Sequence, residues 1–181
     1  MANGDPYEQG HFDALCGFYA IINGLTSLNI PNMDKPGARK IFKKMVLTIA
    51  EKFPGVMIDG LTMTDMKKIM ETAVEAANII YGAEIVWFRP PSGSFVRIND
   101  WLSHLENEMS VGNTVAIVGL NNPVAHWTVA ITTTDRTLTF YDSGWYHPRR
   151  RINKRSLTLG DTVKNKMNVD ADATFFLRKM N

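Results

Sequence analysis

Four residue types in this sequence combine into acyl-transfer chemistry: a cysteine, a histidine, an aspartate and a glutamine. Cys16 is the only cysteine of the chain and stands in GHFDALCGFYAIINGL, residues 10–25. Gly17 follows it, and then apolar residues fall at 18, 21, 22, 25 and 28, the spacing of a buried helix face. The thiolate, not the thiol, is the nucleophile. A helix start presents unpaired N–H groups and partial positive charge, which favour an anion there. A nearby imidazolium favours it further. Gly17, without a side chain, is expected to let a substrate carbonyl approach the sulfur. A lone cysteine is equally at home as a small buried hydrophobe, and only its partners distinguish a nucleophile from that.

Of the four histidines, His11 lies in the approach to Cys16, His104 in an amphipathic segment with a surface or boundary role, and His147 beside Pro148 and the arginines. His126 differs: it heads HWTVAITTT, directly after NNPVA. A strand head holds a side chain on a rigid platform at a cleft, as a general base requires. Asp142 ends the next apolar run, TLTFYDS, and Asp135-Arg136 joins the two as an antiparallel hairpin. With the turn at 134–136, His126 faces a position near 144, and Asp142 lies within about one residue pair. A carboxylate there orients one ring nitrogen and leaves the other for Cys16. Gln9, upstream of Cys16, supplies an amide donor for an oxyanion beside the Cys16 N–H.

The elements that must place these groups read as helices first and strands later. One helix is expected from Cys16 to about Leu28, broken by Asn29-Ile30-Pro31-Asn32. A second is expected from Gly37 to Phe53, with Ile41, Met45, Leu47, Ile49 and Phe53 as its apolar face and Pro54-Gly55 as its stop. A third starts near Thr62 or Thr64, either of which can cap it. AEIVWF (83–88) reads as a strand. NDWLSHLENEM reads as a helix capped by Asn99, with Trp101, Leu105 and Met109 on one face. NTVAIVGL, HWTVAITTT, TLTFYDS and, late, ATFFLRK read as strands. The expectation is an α+β fold with helices packed on an antiparallel sheet. It is read as one domain, with a helical part to about residue 80 and a β-rich part from about 81. Residues 29–110 are expected to carry the substrate pocket.

Composition narrows the function classes. The chain has 181 residues and a formal net charge of +2, enough for a substantial core without staples and close to neutral. One cysteine cannot form an internal disulfide. The start, MANGDPYEQG, has no basic, apolar leader pattern, and no apolar run approaches the roughly 20 residues of a membrane span; the expected location is the cytoplasm. No zinc-ligand spacing and no cofactor motif is present, so no metal or cofactor is expected. HPRRRINKR (147–155) reads as a solvated loop or edge strand. It lacks the interleaved aromatics of a single-strand platform, so nucleic acid is not the expected partner. Trp127 reads as core packing and Trp145 as a candidate cleft wall.

GHFDALCGFYAI, HWTVA and TFYDS, taken together, resemble the papain-like cysteine peptidases. The Cys–His–Asp order resembles the bacteriocin-processing peptidases that cut after double-glycine leaders. The HW…FYDS hairpin resembles the ubiquitin-like-protein proteases and related bacterial effectors, relative to which this chain would be permuted. The resemblance implies a helical lobe whose central helix opens on the cysteine, facing a sheet lobe that carries histidine and aspartate. It implies Cys16 as nucleophile, His126 as base, Asp142 as orienter and Gln9 as oxyanion residue. The family has five residues between its glutamine and cysteine, whereas six lie between Gln9 and Cys16. The implied activity is hydrolysis of a peptide or isopeptide bond in a peptide or protein substrate through an acyl-enzyme. Alternatives on the same groups are a thiol acyltransferase, transglutaminase or deamidase. A non-catalytic binding module on a peptidase scaffold, or a nucleic-acid binder using 149–155, are further ones. Oligomeric state is not readable from the sequence.

Overall fold

A computed structural model describes residues 6–9, 14–122, 125–144, 149–160 and 166–180. The helices are α1 (Cys16–Ser27), α2 (Lys35–Thr48), α3 (Gly55–Asp59), α4 (Met63–Tyr81) and α5 (Ile98–Ser110). The strands are β1 (Ile85–Phe88), β2 (Thr114–Asn122), β3 (His126–Thr133), β4 (Thr137–Tyr141), β5 (Arg149–Asn153), β6 (Leu157–Leu159) and β7 (Met167–Lys179). They form one sheet in the order β1-β7-β2-β3-β4-β5, with β6 beside the start of β7. All pairings are antiparallel except β6 with β7. The fold is therefore α+β, built on a mostly antiparallel sheet.

Side-chain alternation divides the core in two. Val115, Ile117, Val129, Tyr141, Phe175 and Leu177 face the side covered by α1, α2 and α4. Ala116, Val118, Ala130, Phe140 and Phe176 face the side covered by α5 through Trp101, Leu102 and Leu105. Successive strand residues point to opposite faces, so a strand buried on both sides reads as a continuous apolar run. VAIV in β2 is such a run. The expectation of helices on a sheet thus needs one amendment: α5 lies across the sheet from the other helices. An amphipathic pattern shows that a helix has one apolar face but not which face of a sheet it covers.

Several expected boundaries shift. The second helix ends at Thr48, and a 3-10 turn, Ala50–Lys52, takes the place of its last turn. Phe53 is extended (φ −79°, ψ 143°), because the ring of Pro54 disfavours helical backbone in the residue before it. Leu47, assigned to the apolar face, is 62% exposed. Pro54-Gly55 does not end structure but opens α3, which closes at Gly60 with φ +81°, a value that favours glycine. Thr62 is the cap of α4, its hydroxyl accepting from the Asp65 N–H at 3.2 Å. Asn99 is not the cap of α5; Arg97 holds that position without a side-chain bond. The basic run is in part an edge strand, β5, paired only with β4. Parallel β6 had no sequence expectation.

Trp101 is 1% exposed and its indole N–H donates to Thr174 Oγ1 at 3.0 Å. Trp101→Ala removes the largest side chain holding α5 to the sheet and orphans that hydroxyl. The expected loss is about 3–5 kcal/mol, read as a lower urea midpoint with an unchanged m-value.

Candidate active site

Cys16 is the first residue of α1 and is 8% exposed. The N-cap residue is Leu15, whose side chain has no acceptor to offer the first-turn N–H groups. The positive end of the helix dipole lies at the residue that carries the thiol. Cys16 also packs at the centre of the protein, because α1 is buried along most of its length.

His126 is the first residue of β3 and pairs with Leu120 of β2. Asp142 directly follows β4, in the register set by Val129 opposite Tyr141 and Ala130 opposite Phe140. That register, continued, brings His126 opposite 144, as the hairpin count expects. A bulge between Ala130 and Thr132 shifts the turn end of the hairpin by one residue without moving the site end. His126 Nε2 lies 2.9 Å from both Asp142 oxygens. Asp142 is 1% exposed, and its Oδ1 also accepts from the Gly144 N–H at 2.8 Å. Nε2 is thereby committed to Asp142, which leaves Nδ1 for the hydrogen bond between the ring and Cys16. Burial disfavours the charged ring, but the hydrogen bonds it makes to Asp142 and with Cys16, and their negative charge, outweigh it, and the His126 pKa is raised to about 9.

Gln9 reaches the same place from the N-terminal segment. Its N–H donates to the Ser143 carbonyl at 3.1 Å, and its amide oxygen accepts from Ser143 Oγ at 3.4 Å. The segment is tied on its other side by Asn23, fully buried in α1. Asn23 Oδ1 accepts from the Tyr7 N–H at 2.8 Å and its amide donates to the Tyr7 carbonyl at 3.1 Å. Asn23 had no place in the sequence reading. Its signal was an amide in the middle of an apolar helix, since a buried amide needs partners.

A cleft of about 400 Å³ opens beside Cys16 and His126. One wall is Asp59, Gly60, Leu61 and Met63, from the end of α3 and the start of α4. The other comes from β2, β3 and β7, through Gly119, Asn121, Trp127 and Asp170 among others. Only 59–63 of the segment 29–110 line it, because the strand ends close the rest. Gly17 does not leave open space beside the thiol: a Cβ there would lie 2.5 Å from Leu61 Cδ1 and 3.2 Å from Met66 Sδ. Its smallness lets α1 pack against α4. Trp127 packs into the helical-side core against Phe175 (ring centroids 5.9 Å apart) and also borders the cleft. His104 sits between the Phe95 and Phe176 rings at the edge of the α5 core, away from the site. His11, Trp145 and His147 lie outside the described residues.

The arrangement places a thiol, an imidazole and a carboxylate in line at a helix N-terminus, with an amide beside them. Such a line can move a proton from sulfur to nitrogen and back to a leaving group. Among the described residues no group of three or more His, Cys, Asp or Glu is placed to hold a metal ion, and no helix is long and apolar enough to cross a membrane. No protein-family model, curated protein or solved structure matches the chain.

The raised His126 pKa carries a stability consequence. A histidine whose folded pKa exceeds its unfolded value near 6.5 contributes stability that is complete below 6.5 and is lost as pH rises toward the folded value. The comparison is made in a Cys16→Ala background, which removes the thiol's own interaction with the ring. There, stability falls between pH 6 and pH 10 more steeply with Asp142 than with Asp142→Asn, as read by urea melts across that range. Equal slopes would mean that Asp142 does not hold the imidazolium.

Proposed function

We propose that this chain is a papain-like cysteine peptidase, acting through Cys16, His126 and Asp142 on a peptide or isopeptide bond. The observation that carries the reading is His126, fixed by a buried carboxylate on one side and hydrogen-bonded to a helix-start cysteine on the other. The order along the chain, the hairpin that joins histidine to aspartate, and a cysteine-headed buried helix facing a sheet all support it.

In this mechanism His126 takes the Cys16 proton, and the thiolate so formed is the nucleophile. The sulfur attacks the substrate carbonyl, and the oxyanion receives hydrogen bonds from the Cys16 N–H and the Gln9 amide. The imidazolium gives its proton to the leaving amine. His126 then takes a proton from water, which attacks the thioester and releases the acid. Asp142 keeps the ring in one orientation and favours its charged form. Water is the acceptor in this reading, and the substrate is expected to meet the protein in the cytoplasm. The basic edge strand plays no part in the chemistry.

Alkylation by iodoacetamide reads the nucleophile directly, since the chain has one thiol. Wild type is expected to react well below pH 8.5, and His126→Ala to lose that reactivity by roughly 10²-fold. A thiol equally slow in both proteins would end the enzyme reading. Against peptide substrates, Cys16→Ala abolishes turnover. The alkaline limb of the rate profile falls through about pH 9, where the imidazolium that protonates the leaving amine is lost. Asp142→Asn moves that limb to lower pH, because the charge and hydrogen bond that raise His126 are weakened. Release of ammonia from a glutamine peptide without chain cleavage would assign the same groups to a deamidase.

A further inference from the structure

Outside the Cys16, His126 and Asp142 group itself, the charged side chains on the described walls of the cleft are carboxylates. The protein as a whole has 20 Lys and Arg against 18 Asp and Glu. Yet the described residues that line the cleft include Asp59 on one wall and Asp170 on the other, and no lysine or arginine. A second space of about 260 Å³ shares Asn121 and Asp170 with the cleft, and its described lining adds Asp172 and no lysine or arginine.

Asp170 is placed there by the sheet. The pairing of β2 with β7 steps from Val118 opposite Thr174 to Gly119 opposite Asp170, so residues 171–173 form an outward bulge. Asp170 Oδ1 closes that bulge by accepting from the N–H groups of Asp172 at 3.0 Å and Ala173 at 3.2 Å. Gly119 completes the fit, since a Cβ there would stand 2.5 Å from the Ala173 Cβ. The carboxylate is thus held at the cleft with one oxygen committed to the backbone, a preorganised position rather than a flexible one. Asp172 is held likewise, accepting from the Gly93 N–H at 2.8 Å. Among the described residues neither Asp59 nor Asp170 forms an ion pair with the protein's own cations. A substrate cation is the complement that both carboxylates lack, and a substrate carboxylate beside Asp59 or Asp170 would be repelled by them.

Resting on the peptidase reading, we propose that the cleft selects peptides carrying a lysine or arginine side chain next to the scissile bond, with Asp59 and Asp170 as the carboxylates that receive it. The site is a specificity pocket for a cationic side chain, reached from the same opening that leads to Cys16.

Three methanethiosulfonate reagents that differ only in charge test the pocket without presupposing a substrate sequence. In each, the Cys16 sulfur attacks the reagent's sulfenyl sulfur, a disulfide forms and methanesulfinate leaves. With rates normalised to those of glutathione, the aminoethyl reagent is expected to modify Cys16 roughly tenfold faster than the neutral hydroxyethyl one, and the sulfonatoethyl reagent more slowly than either. Asp59→Asn and Asp170→Asn each lower the cation-to-neutral ratio, and the double variant brings it near one. Asparagine at 170 keeps the oxygen that closes the bulge, and Asp59 is exposed, so both variants retain the fold. The companion measurement is a set of internally quenched peptides with lysine or norleucine at each position around the scissile bond, lysine being favoured at one or two of them. A normalised ratio near one in wild type, or one that survives both substitutions, overturns the cationic pocket alone. A neutral-reagent rate that does not depend on His126 overturns the peptidase reading, and the pocket's role in selecting substrates falls with it.

Discussion

The contact between His126 and Asp142 fixes more of this protein than any other pair. A carboxylate as buried as Asp142 must be compensated, and it is, by an imidazole on one side and the Gly144 N–H within its own turn. The compensation works only if β3 and β4 are in one register, because a slip of one residue would turn the side chain to the opposite face. The bulge at Ala130–Thr132 shows where the hairpin absorbs its irregularity, at the turn end, away from the site. The same contact gives the imidazole one orientation and a strong preference for the charged form, so the sheet's register and the site's proton chemistry are one constraint.

The second support is α1. Its burial along most of its length leaves Cys16 only 8% exposed, and its start places the sulfur at the positive end of the helix dipole. Gly17 takes part in the packing instead of opening it, since its missing side chain is what admits Leu61 and Met66. Asn23, in the same helix, pins the segment that carries Gln9 through two hydrogen bonds to Tyr7. Helix, hairpin and N-terminal segment therefore meet at one point through three different kinds of force: apolar packing, a charge-assisted hydrogen bond and main-chain hydrogen bonds.

Around that point the cleft is built from pieces distant in the chain. The short α3 ends in Gly60, whose positive φ turns the backbone into the wall that Leu61 and Met63 complete. The opposite wall owes its shape to the bulge in β7, where Asp170 is turned to the opening. Both walls bring acid to a chain that is slightly basic as a whole, so the local charge is a property of the site and not of the composition.

The sequence by itself determined the parts that depend on local periodicity and short-range counting. The helix that starts at Cys16, a threonine cap at 62 or 64, the strands at 114, 126 and 137, and the approach of His126 to Asp142 all follow from spacing, turn chemistry and the two-residue repeat of a strand. Only the tertiary structure decided the rest. Which face of the sheet α5 covers, that β6 runs parallel to β7, that residues 59–63 reach the cleft, and that Asp170 lines the same cleft as Cys16 are outcomes of packing between segments far apart in the chain. The end of α2 at Thr48 and the opening of α3 at Gly55 are a smaller case: Pro54 reshapes the residue before it, and the boundary moves. Periodicity records how a residue relates to its near neighbours. It carries no record of a bulge that lies opposite another strand or of the side chain that fills the space over a glycine, and those long-range fits decided the cleft.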